Sequence, residues 1–296
     1  MKRVIAVLFV IIVVLSGVLT GCELLEMLDY DSEIAKIVKD ENPNACADLK
    51  ADDERKTKIR QDKCYKQVAF AMKRTDLCDK VEDINKQEDC FIDLAEDLGN
   101  LQLCDKVTNG KNECMAKVAI AEQDDMICDN IQGSYKNKCY GEIGKLKLSV
   151  EICKRVDSDF EKTNCISHIA TTKKDISICD EIKEDRQFRC INAVAFEKGD
   201  PEICKQSKNK DPCFSALARK NKDSQLCKEI YDDDSTDHCF EDLAEIKKDP
   251  SLCILIRDRA AAYNCIKEFA KEDASACEHL QDEYKEDCQK EFGYTV

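Results

Sequence analysis

From Asn42 onward the hydrophobic positions of the chain alternate between two short patterns. One reads cysteine, apolar, two variable positions, apolar, small: Cys90, Phe91, Leu94, Ala95; Cys114, Met115, Val118, Ala119; Cys190, Ile191, Val194, Ala195; Cys239, Phe240, Leu243, Ala244. Positions one, four and five after the cysteine share a face of an α-helix, which predicts a helix buried along a single stripe. The small residue, replaced by Gly144 and Gly293 in two copies, admits a close neighbour. The other pattern sets apolar residues one before and three after a cysteine, as in Leu77 and Val81, Ile127 and Ile131, or Ile178 and Ile182. Four residues before that cysteine stands Asn42, Asn100, Asp124, Ser149, Asp175, Asp200, Asp223, Asp249 or Asp273, with Arg74 the one departure. Such side chains cap orphan N–H groups, and Pro43, Pro201 and Pro250 fall where a first helical residue needs no N–H. The second pattern therefore predicts a short helix.

The two patterns follow one another as a repeat. From Cys64 to Cys253 the interval from the long-helix cysteine to the next short-helix cysteine is constant at fourteen residues, slipping to twelve only for Cys265–Cys277. Intervals within a pair vary from nine, Cys204–Cys213, to eighteen, Cys46–Cys64. Strand-like alternation is absent, and with nine glycines and four prolines no flexible linker interrupts residues 42–296. A helix pair of about 25 residues cannot bury its own apolar face, so neighbours must stack. The expected fold is all-α, an α/α solenoid of about ten short helix-pair repeats, each stapled by one disulfide.

Geometry decides which cysteines can bond. A long helix running from Cys90 to about Leu98 puts that cysteine about 12 Å from the turn, whereas Asn100 to Cys104 covers only about 6 Å. The offset exceeds the ~4.4–6.8 Å Cα spacing of a disulfide, so Cys90 and Cys104 should not pair. Across the variable loops the offsets match, and pairing from Cys46 onward leaves no orphan. The expected bridges are Cys46–Cys64, Cys78–Cys90, Cys104–Cys114, Cys128–Cys139, Cys153–Cys165, Cys179–Cys190, Cys204–Cys213, Cys227–Cys239, Cys253–Cys265 and Cys277–Cys288. Each closes a short loop and contributes on the order of 3 kcal/mol in the chain-entropy model.

That census leaves one of the 21 cysteines, Cys22. Before it stand Lys2 and Arg3, an apolar run from Val4 to Leu15, and Leu19-Thr20-Gly21-Cys22. The first 22 residues resemble a lipoprotein signal peptide with its lipobox, which implies removal of residues 1–21, a lipid on Cys22 and a place on the cell membrane facing outside the cytoplasm. Export agrees with an even set of bridged cysteines. Residues 22–41 read as an N-terminal helix or linker between the anchor and the array. In organisation the whole resembles Sel1-like cysteine-rich repeat proteins, although their longer, glycine-rich repeat is not present, and the likeness concerns architecture alone.

Charge narrows the partners. Lys and Arg total 46 against 61 Asp and Glu, a net −15, interleaved along solvated helix exteriors. Nucleic acid and anionic lipid are therefore poor partners, and membrane attachment should come from the lipid on Cys22. The chain lacks Cys-x-x-Cys, Walker, Rossmann, Gly-x-Ser-x-Gly and His-Glu-x-x-His patterns, and no cofactor is expected. His168, His238 and His279 read as surface residues. The stretch "DDDSTDH" in a variable loop offers Asp232, Asp234 and Asp237 as a weak cation site, without the glycine and late glutamate of an EF-hand loop. The expectation is a non-catalytic, lipid-anchored scaffold or adaptor that binds a protein or peptide through its repeat surface. The alternative is a thiol-based redox or metal-handling surface protein.

Overall fold

The computed structural model describes residues 32–293, all of whose regular elements are helices. Cys22 and the signal segment lie outside the described residues. The chain divides into two compact units, one ending at Cys139 and the other beginning at Tyr140, inside the helix Ser134–Leu146. Each unit is an α/α solenoid of stapled helix pairs.

In the first unit, residues 32–39 form a helix whose Ile34 and Ile37 are buried and whose Glu33 carboxylate accepts from the Arg60 guanidinium. The long helices Glu54–Met72, Ile84–Leu98 and Lys111–Glu122 follow, each preceded by a short helix: Pro43–Asp48, Thr75–Lys80 and Leu101–Lys106. Ile127–Asn130 is the short partner of Ser134–Leu146. The second unit repeats the plan with long helices Asp159–Lys173, Gln187–Lys198, Asp211–Asn221, Asp233–Lys247, Arg259–Ala270 and Asp282–Phe292. Its core is continuous from Cys153 to Cys288. Most stripe residues are buried, among them Phe91, Leu94 and Ala95 in the first unit and Phe240, Leu243 and Ala244 in the second, while Tyr65, Phe269 and Phe292 are partly buried.

Most short helices are 3₁₀ turns of four to six residues, and only Val150–Lys154 and Pro201–Cys204 are α-helical. The cause is local. The N–H three residues after the first cysteine returns to that cysteine's carbonyl, Val81 to Cys78 at 3.1 Å and Val107 to Cys104 at 3.2 Å, and this closure ends the turn. Caps fall where the sequence put them: Asn100, Asp175, Asp200 and Asp249 accept from the N–H two residues on. Asn42 is an exception and makes no side-chain cap bond.

Disulfides join Cys46–Cys64, Cys78–Cys90, Cys104–Cys114, Cys128–Cys139, Cys153–Cys165, Cys179–Cys190, Cys204–Cys213, Cys227–Cys239, Cys253–Cys265 and Cys277–Cys288, at Cα separations of 5.5–5.8 Å. All lie within a helix pair and all are buried. Ten bridges point to an oxidising, extracytoplasmic environment.

The constant fourteen-residue interval has two causes visible in the backbone. Nine residues after every long-helix cysteine from Cys64 to Cys239 the chain turns left-handed, at Lys73, Gly99, Gln123, Leu148, Lys174, Gly199, Lys222 and Lys248. The next N–H then reaches back to the small residue of the stripe, as Asn100 does to Ala95 at 2.9 Å and Asp249 to Ala244 at 2.9 Å, a Schellman closure. The second cause is a clamp between pairs. Two residues before the long-helix cysteine stands Asp62, Glu88, Asn112, Asp211 or Asp237, and its side chain accepts N–H groups from the loop of the following pair. Asp62 takes Glu82 and Asp83, Glu88 takes Thr108 and Asn109, Asn112 takes Gln132, Asp211 takes Tyr231 and Asp232, and Asp237 takes Arg257 and Asp258. The separation is 20 or 21 residues in every case. Because the acceptor and donors sit at fixed offsets from their cysteines, one residue more or less between the cysteines would part them.

Gly144 meets the stacking requirement most tightly, since a Cβ there would lie 2.8 Å and 2.9 Å from the sulfurs of Cys153 and Cys165. Gly293 does not share that role. It ends the last helix with φ of 69° and has open space around it.

Candidate functional site

A concavity lies on the first unit. Asp53 caps the long helix Glu54–Met72 by accepting from the Lys56 N–H, and the left-handed Lys73 ends it. Between these ends the buried stripe takes Cys64, Val68 and Ala69, so helical periodicity turns Lys63, Lys66, Gln67, Phe70 and Ala71 to the opposite side. The next long helix, Ile84–Leu98, contributes Cys90, Asp93, Glu96 and Asp97, and Val38 closes one end. Together they enclose a groove of about 900 Å³.

Its apolar centre is Phe70, 45% exposed, with the Lys73 ammonium 4.9 Å from the ring centroid. The charges around it are matched between neighbouring helix pairs. Lys66 pairs with Asp93 at 2.8 Å, Lys73 pairs with Asp97, and Lys117 approaches Glu96 at 3.8 Å. These exposed pairs contribute little stability but fix the side chains that frame the ring. Nothing in the groove couples a nucleophile to a base. It offers an exposed aromatic ring on a surface framed by paired charges.

A smaller groove of about 310 Å³ in the second unit is lined by Glu241, Glu245, Glu268, Glu272, Lys248 and Phe269, with Glu268 held by Lys271 at 2.7 Å.

The acidic run does not form a cation site. It starts the long helix Asp233–Lys247 instead of looping, and its carboxylates face different donors. Asp232 accepts from the Ser235 hydroxyl and N–H, which hold it below the usual carboxylate range. Asp237 is occupied by its clamp with Arg257 and Asp258, and Asp234 offers its backbone carbonyl to His238 Nδ1 at 2.7 Å. Among the described residues no three metal-ligating side chains converge. His168, His238 and His279 are exposed.

Two features escaped the sequence reading. The clamps were signalled by the recurrence of Asp, Glu or Asn two residues before the long-helix cysteine. Phe70 was signalled by a large aromatic falling outside the buried positions of its repeat.

The fold is that of a disulfide-stapled helical-repeat protein, an architecture compatible with a scaffold or binding role. Comparison with family models, with curated proteins and with solved structures gives no match. No helix among the described residues is long and apolar enough to cross a membrane.

Proposed function

We propose that the protein is a non-catalytic scaffold or adaptor, held at the outer face of the cell membrane by a lipid on Cys22, that binds a protein or peptide through its helical-repeat surface. The observation that carries this reading is the groove around Phe70, where an exposed aromatic is framed by paired charges on helices that disulfides hold in place. Rigid helix faces are how repeat proteins ordinarily present binding surfaces. A thiol-based role has less support, because every cysteine from Cys46 to Cys288 is paired and buried.

Photo-crosslinking in intact cells tests the reading. A benzophenone amino acid at Gln67 should give one discrete protein adduct, and Phe70→Ser should abolish it without altering the amount of folded protein. A smear of adducts insensitive to Phe70→Ser would remove the groove as the binding surface. Cys22→Ser should move the protein from the membrane to the soluble fraction, and retention in the membrane would reject the lipid anchor.

A further inference from the structure

The chain contains one Asn-Gly pair, Asn109-Gly110, and the structure places it at a joint between repeats. Residues 108–110 form a bend between the short helix Leu101–Lys106 and the long helix Lys111–Glu122, with Asn109 exposed. Among the described residues neither the Asn109 side-chain amide nor the Gly110 N–H has a hydrogen-bond partner. The Asn109 backbone N–H, by contrast, donates to the carboxylate of Glu88, 3.3 Å from both oxygens, beside Thr108 at 2.9 Å. Glu88 is buried.

We propose that Asn109 is a site of spontaneous deamidation and isoaspartate formation, and that its conversion loosens the clamp joining the second and third helix pairs. The Gly110 nitrogen, unshielded by a Cβ and free of any acceptor, attacks the Asn109 side-chain carbonyl carbon. A C–N bond forms, the side-chain amide leaves as ammonia carrying away the Gly110 proton, and a cyclic imide results. Water then opens the imide on either side, giving aspartate or isoaspartate. No oxidant or reductant is involved.

Either product acts on Glu88. Aspartate adds a negative charge to the residue whose N–H the Glu88 carboxylate accepts, and repulsion between like charges weakens that bond. Isoaspartate inserts a methylene into the backbone between the clamp and the following helix, drawing the N–H groups of Thr108 and Asn109 out of register. The clamp and the bend thus turn one exposed amide into a slow, irreversible release of a repeat joint.

The test is to incubate the purified mature protein at mildly alkaline pH and follow every asparagine by peptide mass mapping, with hydrogen exchange read on the same samples. Asn109 should convert ahead of all other asparagines, giving separable aspartate and isoaspartate peptides, and exchange at Thr108 and Asn109 should rise in step. Asn109→Gln should lose both changes, and Asn109→Asp should show the faster exchange from the start. An unchanged Asn109 while other asparagines convert would overturn the site. Conversion with exchange at 108–109 unaltered would overturn the loosening.

Discussion

Lys73, Gln123, Leu148, Lys174, Lys222 and Lys248 hold φ between 50° and 55°, a region where side chains other than glycine are strained. Gly99 and Gly199 fill the same position elsewhere, so the repeat tolerates glycine there. Left-handed backbone costs an L-residue about 1–2 kcal/mol, and glycine returns part of that gain through its unfolded-state entropy. Lys222→Gly should therefore raise stability by about 0.5–1 kcal/mol, read as a higher denaturant midpoint at unchanged slope. His238 carries a pH signature at the same scale. Its bond to the Asp234 carbonyl raises its pKa above the ordinary imidazole value, against a smaller opposing effect of burial. A raised folded-state pKa stabilises the fold fully below the unfolded value of about 6.5 and loses that contribution as pH rises through the folded value. His238→Gln should flatten stability across that window, and a proton titration of the ring should find its midpoint above the ordinary value. Neither feature was legible in the sequence, since a lysine in a left-handed turn looks like any surface lysine until the cysteine register exposes its position.

At the scale of elements, the helix pair owes its shape to two constraints of different kinds. The disulfide ties the pair to itself, and the carboxylate clamp ties it to its successor. Glu88→Ala should leave the N–H groups of Thr108 and Asn109 without an acceptor at a partly buried joint and cost about 1–3 kcal/mol. Glu88→Gln, which keeps one acceptor oxygen, should cost less, and chemical denaturation of both variants separates this bonding from a simple loss of packing. The long helices were readable from their apolar stripe, and the caps from Asn and Asp. The 3₁₀ character of most short helices was not readable, because turns of four to six residues are too short for a periodic pattern to tell one bonding register from the other. The clamps were hidden for a related reason: each spans 20 residues or more, beyond any helical or strand period.

At the scale of the whole molecule, stability in each unit is expected to be nearly one-dimensional, since helix pairs touch mainly their neighbours. Cys153→Ser together with Cys165→Ser should loosen one pair of the second unit and cost about 2–5 kcal/mol. Limited proteolysis should then cut first between Val156 and Thr163, ahead of global unfolding. An even, single-step loss of structure through the second unit would speak for one cooperative core instead. The solenoid was legible because the repeat is written in cysteines. The groove around Phe70 was not, because it depends on an aromatic outside the buried stripe lying next to Val38, from a segment that lacks the repeat.

The central claim is that the bridges run within helix pairs, across the variable loops and never across the fourteen-residue interval. Peptide mapping of the purified protein under non-reducing conditions, with free thiols first blocked, measures this directly. The account predicts linked peptides for Cys78–Cys90, Cys128–Cys139 and Cys227–Cys239 and no blocked thiol from Cys46 to Cys288. A linked Cys90–Cys104 peptide, or a substantial population of free thiols, would contradict it.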